Sequence, residues 1–359
     1  MFLYDFLTIG WDVGKGIPIG NFSIRFYQIF FASGFVVGFY LMKGFFKREG
    51  IAQEVLDQLL TYMVIATVIG ARLGHVFFYQ WDYYSQHPVE ILKVWEGGLA
   101  SHGAAIAIII ALYFFSKKVS KKSTLWILDK VVVTVALAGC FIRMGNMFNS
   151  EIYGKLHNSS IETVYLDLPR QSILGNWPGV EAVYFTNMNR HFATDSLQLP
   201  EYTMDVVFSK TTSQPQAEQM LAQQMRYLNG FGNDEKNIII GMNPPQWQVD
   251  SGHQVATLAV LGMPRFPSQL VEASAYLLIF FLLLWMYQKG LWKREGLLFG
   301  MFLITVFGFR FFVEYMKVVQ VEAEYGMSLN LGQQLSIPLV LIGLFFVARA
   351  FTQKSVKHV

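Results

Sequence analysis

Long apolar stretches separated by shorter polar segments dominate the chain. A helix that crosses a bilayer needs about 20 mostly apolar residues. Stretches of sufficient length and apolarity occur at residues 23–42, 58–79, 99–115, 125–145, 268–287, 296–316 and 333–350. The pattern therefore predicts an all-α polytopic membrane protein with seven transmembrane helices.

Residues 152–264 interrupt this pattern with a polar segment that is rich in Asn, Gln and Pro. Short runs of alternating or β-branched residues predict strands at Thr163–Leu168, Val180–Thr186, Thr203–Phe208 and Val255–Leu261. Ser213–Leu228 has the spacing of an amphipathic helix, with Ser213 as its cap. We expect a small α+β domain between the fourth and fifth spans.

The composition supports a membrane protein and excludes several other classes. Hydrophobic residues make up 53% and charged residues 15% of the 359 positions, whereas soluble proteins carry roughly 25% charged residues. The mean hydropathy is +0.36, so a disordered chain or a coiled coil is excluded and an ordinary soluble enzyme is disfavoured. A net charge of +3 gives no argument for a nucleic-acid partner.

Cysteine and histidine spacing predicts no metal site and no cofactor. Cys140 is the single cysteine, which excludes an internal disulfide, and we interpret it as a small hydrophobic residue of the fourth span. The chain contains neither a Cys/His spacing typical of zinc sites nor a His-Glu-x-x-His motif.

Basic residues cluster after every second span, which predicts the orientation. The clusters after the first, third, fifth and seventh spans consist of Lys43, Lys47, Arg48; Lys117, Lys118, Lys121, Lys122; Lys289, Lys293, Arg294; and Arg349, Lys354, Lys357. Because short cytoplasmic loops are enriched in Lys and Arg, we expect the N-terminus outside and the C-terminus inside. The segment 152–264 is then extracytoplasmic.

The predicted organisation has four parts. Residues 1–22 form an extracytoplasmic N-terminal arm, and we expect its aromatic side chains to lie in the membrane interface; these are Phe2, Tyr4, Phe6 and Trp11. Residues 23–151 form transmembrane helices one to four, and residues 152–264 form the extracytoplasmic head domain. Residues 265–359 form helices five to seven and a short cytoplasmic tail.

His102 lies near the outer end of the third span among Gly97, Gly98 and Gly103. The glycines permit close approach of backbone or ligand, and a histidine can act as a base near neutral pH. A histidine that is only hydrogen-bonded within the helix bundle is the alternative, and the sequence leaves it open.

The end of the fourth span concentrates polar residues. Arg143, Asn146, Asn149 and Glu151 fall within nine positions, and Arg143 and Asn146 share a helix face. We expect the helix to end near Gly145. A guanidinium beside amides suits a phosphate, whereas an arginine that reaches to the membrane interface is the alternative.

Further polar residues stand near the outer ends of other spans. Arg310 lies in the sixth span with Glu314 one turn later, which predicts an ion pair that either joins helices or serves a site. The remaining candidates are Tyr27, Arg72, Gln269 and Glu272. Because ionisable groups inside a membrane face the bundle interior, this convergence predicts a polar cavity.

Several segments resemble the prolipoprotein diacylglyceryl transferase family. In family order they are Ile24–Tyr27, Ala71–Gly74, Trp95–Gly98 with His102-Gly103, Arg143–Gly154, Pro267–Leu270 with Glu272-Ala273, Arg310-Phe311 with Glu314, and Gly332-Gln333 before Ser336-x-Pro338. Arg143–Gly154 is the family signature. The chain departs from the usual pattern at Ala104 and Ala107, where the family has glycines, and at Val306, where many members have tyrosine.

The resemblance implies an enzyme of the bacterial cytoplasmic (inner) membrane with its site toward the extracytoplasmic side. Such enzymes transfer a diacylglyceryl group from phosphatidylglycerol to the lipobox cysteine of a prolipoprotein signal peptide. A thioether forms and glycerol phosphate leaves, which is the first step of lipoprotein maturation. The implied partners are phosphatidylglycerol, prolipoprotein signal peptides and the lipid bilayer.

The resemblance also implies residue roles. His102 helps to deprotonate the substrate thiol, and Arg143 and Arg310 bind the phosphate and stabilise the leaving group. The residues expected to orient the head group or line the cavity are Asn146, Asn149, Glu151, Glu314, Tyr27, Arg72, Gln269 and Glu272, with Glu314 fixing Arg310. The nucleophile belongs to the substrate.

Three other classes stay open. A transporter or flippase of an anionic lipid would move its substrate without a new covalent product. A scaffold protein would depend more on the outer domain than on His102. A different phospholipid head-group transferase would use the same arginines without a cysteine acceptor.

Overall fold

The computed structural model describes residues 7–20, 22–229, 236–241, 243–319, 324 and 326–352. The predictions for Phe2, Tyr4, Phe6, Lys354 and Lys357 lie outside the described residues. Trp11 is described, and its ring packs edge-on against Phe148 with 5.1 Å between ring centroids.

Helices form most of the described chain. In chain order they are α1 (Phe26–Arg48), α2 (Gln53–Tyr79), α3 (Trp81–Tyr84), α4 (Ser101–Phe115), α5 (Thr124–Phe148), α6 (Asp167–Asn176), α7 (Gln214–Asn229), α8 (Ser268–Gln288), α9 (Leu297–Val313) and α10 (Leu331–Thr352). Among the described residues, seven helices are long and apolar enough to cross a membrane: α1, α2, α4, α5, α8, α9 and α10. The seven predicted spans are confirmed.

One predicted helix end is wrong. The fourth span, α5, continues through Gly145 to Phe148. A Cβ on Gly145 would lie 2.9 Å from the Tyr27 ring, so this glycine accommodates an aromatic side chain instead of ending the helix. The turn comes at Ser150, whose φ of 53° is left-handed.

The strands are β1 (Leu7–Trp11), β2 (Gly16–Ile19), β3 (Phe22–Arg25), β4 (Ile161–Tyr165), β5 (Val180–Ala193), β6 (Gln198–Phe208), β7 (Ile238–Ile240), β8 (Gln246–Asp250) and β9 (His253–Gly262). β1 pairs with β4 in parallel, and β2 pairs with β3 antiparallel. β5, β6, β9 and β7 form an antiparallel sheet in that order, and β8 pairs with β9.

The antiparallel sheet buries one face against α6 and α7. Along β6 the side chains alternate between buried and half-buried, with Met204, Val206 and Phe208 in the core. Ala217 and Leu221 of α7 complete that core. The strands predicted at Val180–Thr186, Thr203–Phe208 and Val255–Leu261 and the predicted helix are confirmed, and β5, β6 and β9 are longer than expected. The strand predicted at Thr163–Leu168 ends at Tyr165, and α6 begins at Asp167.

The chain divides into two compact units. The sheet unit comprises Met1–Phe30, Ile142–Ser274 and Arg310–Gln334, and therefore holds the strands together with one end of α1, α5, α8, α9 and α10. The helical unit comprises Phe31–Phe141, Ala275–Phe309 and Leu335–Val359.

Within the helical unit, α2 and α4 touch backbone to backbone. A Cβ on Gly70 would lie 2.4 Å from the Ala107 Cβ, and one on Gly103 would lie 2.3 Å from the Gly70 carbonyl oxygen. Gly74, one turn further along α2, meets the Gly103 Cα in the same way. Small residues one turn apart allow this approach between membrane helices, and the contact fixes the start of α4.

A buried ion pair lies elsewhere in the helical unit. The Lys130 ammonium is 3.2 Å from a Glu49 carboxylate oxygen, and the rings of Trp126 and Trp292 flank it at 4.0 and 4.8 Å. Tyr287 and Trp126 each donate a hydrogen bond to Glu49. The pair joins the end of α1 to α5 and α8.

Candidate functional site

Buried charged side chains meet in the sheet unit where α5, α8 and α9 contribute their ends. Nε of Arg143 lies 3.2 Å from one Glu272 oxygen, and the Lys317 ammonium lies 3.0 Å from the other. The exposed fractions of Arg143, Glu272 and Lys317 are 9%, 0% and 3%. Because charges this deeply buried are costly unless paired, each depends on its neighbour.

The same row of charges continues from Lys317 along α9. Lys317 donates a second hydrogen bond to Glu314 at 3.1 Å, and Nε of Arg310 lies 3.3 Å from Glu314. The Asn330 side-chain amide also donates to Glu314. The ion pair predicted between Arg310 and Glu314 is present, and one unbroken row of contacts joins Arg310 to Arg143.

A second hydrogen-bonded group extends from Arg143 into the turn after α5. Arg143 Nη1 donates to Oδ1 of Asn146 at 3.1 Å, and the side-chain amides of Asn146 and Asn149 donate to one Glu151 oxygen at 2.8 and 3.3 Å. Ser150 and Ile152 both have left-handed backbone, with φ of 53° and 59°. This strained turn holds the Glu151 carboxylate beside the amides.

Gln269 and Tyr27 support this turn. The buried Gln269 amide donates to the Glu151 backbone carbonyl at 2.8 Å and accepts a hydrogen bond from the Tyr165 hydroxyl at 2.8 Å. The Tyr27 ring packs on Gly145. Gln269 therefore fixes the end of α5 relative to α8 and β4, and Tyr27 fixes it relative to α1.

Cations and carboxylates balance in number in this group. Arg143, Arg310 and Lys317 carry positive charge, and the described carboxylates among them are those of Glu151, Glu272 and Glu314. Burial lowers the pKa of the Lys317 ammonium, and the nearby Glu272 carboxylate opposes that shift. Because these charges pair with one another, an anionic ligand would bind at the accessible end of the group, where the Arg310 side chain is 36% exposed.

His102 lies in the helical unit, in the first turn of α4. The rings of Phe78 and Tyr79 lie 4.9 and 5.6 Å from its imidazole, and the side chain is half-buried. An imidazole between aromatic rings at the start of a helix is chemically able to accept a proton.

Arg72 also lies in the helical unit, where it organises the loop before α4. Its guanidinium donates to the backbone carbonyls of Glu90, Ile91, Gly97 and Gly98. Its charged end also lies 5.0 Å from the centroid of the Tyr84 ring. Arg72 thereby fixes the segment that leads into His102.

The structure divides the predicted site residues between the two units. Tyr27, Arg143, Asn146, Asn149, Glu151, Gln269, Glu272, Arg310 and Glu314 come together in the sheet unit, and Arg72 and His102 lie in the helical unit. Lys317 and Tyr165 are members of the cluster that sequence reasoning missed. Lys317 stands three positions after Glu314, at the extended residue that follows the last helical turn, and this short spacing between opposite charges was the available signal.

Comparison with known proteins gives a consistent result over almost the whole chain. The family model of prolipoprotein diacylglyceryl transferases matches residues 16–349. The phosphatidylglycerol–prolipoprotein diacylglyceryl transferase of Tolumonas auensis is 32% identical over 339 residues, which cover 94% of this chain and 96% of that protein. The enzymes of the same name from Chloroherpeton thalassium and Porphyromonas gingivalis are 32% and 29% identical, over 96% and 98% of this chain and 95% and 96% of their own lengths.

Proposed function

Because this chain belongs to the prolipoprotein diacylglyceryl transferase family, we propose that it transfers a diacylglyceryl group from phosphatidylglycerol to the cysteine thiol of a prolipoprotein. It is a transferase, and the part of the chain that the structure describes contains seven helices able to span a membrane. Both substrates named for its relatives are membrane-bound, which agrees with a chain whose site groups stand at helix ends.

The reaction forms a carbon–sulfur bond, breaks a carbon–oxygen bond and transfers the thiol proton. The cysteine sulfur attacks the phosphate-bearing carbon of the diacylglyceryl group, the bond from that carbon to the phosphate oxygen breaks, and glycerol phosphate leaves with that electron pair. The thiol proton passes to a base. A thiol with a pKa near 8.5 is mostly protonated at neutral pH, so the enzyme must accept the proton and stabilise the departing anion.

The row of ion pairs from Arg310 to Arg143 carries the proposal for the phosphate. Its cations bind the phosphate oxygens and stabilise the leaving group, because charge-assisted hydrogen bonds to phosphate are strong. The Arg310 side chain is 36% exposed while Glu314 holds it, so it is oriented and still accessible to a ligand. Lys317 and Glu272 keep the two arginines in one row.

The amide and carboxylate group beyond Arg143 suits the glycerol head group. Asn146, Asn149 and Glu151 present neutral donors beside an acceptor, which is a fitting set for hydroxyl groups. Gln269 and Tyr27 act as positioning residues for this set through the contacts with Glu151 and Gly145.

His102 is the proposed proton acceptor for the substrate thiol. An imidazole nitrogen can accept a proton in general base catalysis, and the His102 side chain is half-buried between partly accessible helix ends. Arg72 is a positioning residue for His102, because its hydrogen bonds fix the loop that leads into α4.

The basic clusters after alternate spans support a location in the bacterial inner membrane with the C-terminus inside. Residues 152–264 then form an extracytoplasmic head domain, with helices one to four in 23–151 and helices five to seven plus a short tail in 265–359. The pairing of β1 with β4 supports placing the arm, residues 1–22, on the same side as the head domain. The reacting groups thus face the extracytoplasmic side.

A transfer assay on the purified protein tests this function. The protein receives phosphatidylglycerol and a lipobox peptide, and peptide mass and released glycerol phosphate are followed together. We expect a mass gain of one diacylglyceryl group, none with a Cys→Ser peptide, and a large loss in His102→Ala. Absence of product from folded protein contradicts the proposal, and phospholipid movement across vesicles without product would instead support a flippase.

A further inference from the structure

A polar cleft of about 530 Å3 lies in the helical unit beside the loop that precedes α4. Arg72, His75, Gln80, Tyr83, Glu90 and Gly98 contribute to its wall. Its volume falls in the range of roughly 300–1,000 Å3 that is typical of ligand pockets. Of these residues, only Arg72 was a candidate site residue from the sequence.

The charges of this cleft disfavour an anionic ligand. The guanidinium of Arg72 is held by four backbone carbonyls, so its donors serve the loop. The Tyr83 hydroxyl donates to Glu90 at 2.6 Å, and this hydrogen bond lowers the pKa of the Glu90 carboxyl. A phosphate in the cleft would therefore face a carboxylate.

The remaining wall groups suit peptide amides. Nε2 of His75 and the side-chain carbonyl oxygen of Gln80 lie 3.0 Å apart, so an imidazole and a side-chain amide, which can pair with peptide N–H and C=O groups, line one side. Gly98 has a φ of 68°, and a Cβ there would lie 2.6 Å from the His75 ring. The glycine therefore makes room for the His75 ring, which forms this side of the cleft.

The cleft lies close to His102 and at the end of two spanning helices. The His75 ring stacks on Tyr79 at 5.8 Å, and the Tyr79 ring is 5.6 Å from His102. α2 ends at Tyr79 and α4 begins at Ser101, which places the cleft at a membrane boundary. In a signal peptide the small residues of the processing site follow the apolar segment at that same boundary.

We propose that this cleft binds the polypeptide backbone next to the prolipoprotein cysteine and presents the thiol to His102. The inference rests on the proposed function, because it names the site of one of its two substrates. The phosphate of phosphatidylglycerol is assigned to the cations of the sheet unit and not to the polar groups of this cleft.

Kinetics with a filled cleft test the proposal. Gln80→Trp places a large side chain in the cleft, and Gln86→Trp is the matched control because Gln86 lies in the same loop and is exposed. We expect Gln80→Trp to raise KM for a lipobox peptide about tenfold, as for the loss of one or two hydrogen bonds, with KM for phosphatidylglycerol unchanged. A raised KM for phosphatidylglycerol, or no change in either KM, would overturn the proposal.

Photo-crosslinking separates this proposal from the function itself. A benzophenone amino acid replaces Gln80 or Gln86, and the ligand is a lipobox peptide with Ser for Cys, which cannot react. We expect crosslinking from position 80 only, with competition by unlabelled peptide and none by phosphatidylglycerol vesicles. If the wild type transfers lipid but position 80 gives no crosslink, the cleft proposal alone fails; if the wild type makes no product, the function fails.

Discussion

The Lys317 ammonium lies 3.0 Å from Glu272 and 3.1 Å from Glu314, so a single buried lysine joins two carboxylates that each hold an arginine. Glu272 stands at the start of α8 and Lys317 follows α9, 45 positions later in the chain. Lys317 therefore affects the orientation of Arg143 and Arg310 indirectly, through the carboxylates with which they share ion pairs.

Lys317→Arg is expected to extend activity toward higher pH. Burial lowers the pKa of Lys317, so its ammonium loses its proton below the usual lysine range and the two carboxylates lose their common partner. Transfer by the wild type then falls as pH rises through that lowered pKa, whereas arginine stays charged. Rates measured between neutral and alkaline pH show the difference.

Lys210→Arg is the control, because Lys210 is exposed in the head segment. Identical alkaline limbs for the wild type and Lys317→Arg contradict the prediction. Between the lowered and the unfolded pKa the unfolded chain binds more protons, so stability rises with pH while activity falls. If activity and stability both fall as pH rises, the cause is general denaturation.

Arg143→Ala is expected to lower the transfer rate by about 10²–10³-fold, the loss typical of removing one transition-state donor. Arg143 contacts both Glu272 and Asn146, so its removal also separates the ion-pair row from the Glu151 turn. The rate is measured on protein that elutes as the wild type does. Arg190→Ala, at a side chain 66% exposed, should retain full activity; equal activity in both variants would refute the phosphate assignment.

Gly332→Ala is expected to reduce transfer by about 10–100-fold while the protein stays folded. A Cβ at position 332 would lie 2.8 Å from the Glu314 carboxyl carbon, so Glu314 must move and Arg310 loses its orientation. Gly308→Ala in α9 is the control, because its Cβ would meet nothing within 4 Å. Single-turnover rates and elution profiles distinguish the two, and wild-type transfer by Gly332→Ala would contradict the argument.

Ser150→Gly is expected to stabilise the protein by about 1 kcal/mol, the cost of a left-handed conformation for a residue with a Cβ. Ser150 has a φ of 53°, and its hydroxyl finds no hydrogen-bond partner among the described residues. Thermal unfolding in detergent measures the change. Ser150→Ala also removes the buried hydroxyl but retains the Cβ, so the stability that Ser150→Gly gains beyond Ser150→Ala measures the backbone strain. A midpoint in Ser150→Gly no higher than in Ser150→Ala would disprove the strain.

Lys130→Met and Glu49→Gln are each expected to destabilise the protein by about 3–5 kcal/mol, because each leaves a buried partner unpaired. Their charged groups lie 3.2 Å apart and are buried, and two tryptophan rings flank the Lys130 ammonium. The double variant should lose less than the sum of the single losses. Lys117→Met, at an exposed lysine, is the control; single variants as stable as it would exclude a stabilising pair.

Local patterns were sufficient for much of the fold. The bilayer imposes a length of about 20 apolar residues on each span, so seven helices followed directly from the sequence. Alternation identified β5, β6 and β9, and i, i+4 spacing identified the pair of Arg310 with Glu314. The Arg143–Gly154 signature predicted that Asn146, Asn149 and Glu151 lie together, because these residues are close neighbours in the sequence.

The tertiary structure decided the remaining features, since each depends on residues far apart in sequence. The sequence predicts a helix end near Gly145, whereas in the structure this glycine makes room for the Tyr27 ring. The sequence also predicts that Arg72 lines the cavity, whereas its guanidinium donates to four backbone carbonyls of the loop before α4. Lys317 belongs to the site because the fold places its ammonium 3.0 Å from Glu272, which is distant in the sequence. Sequence determines where charges occur along the chain, whereas the energy of a buried charge is set by the distance to its partner, and only long-range packing fixes that distance.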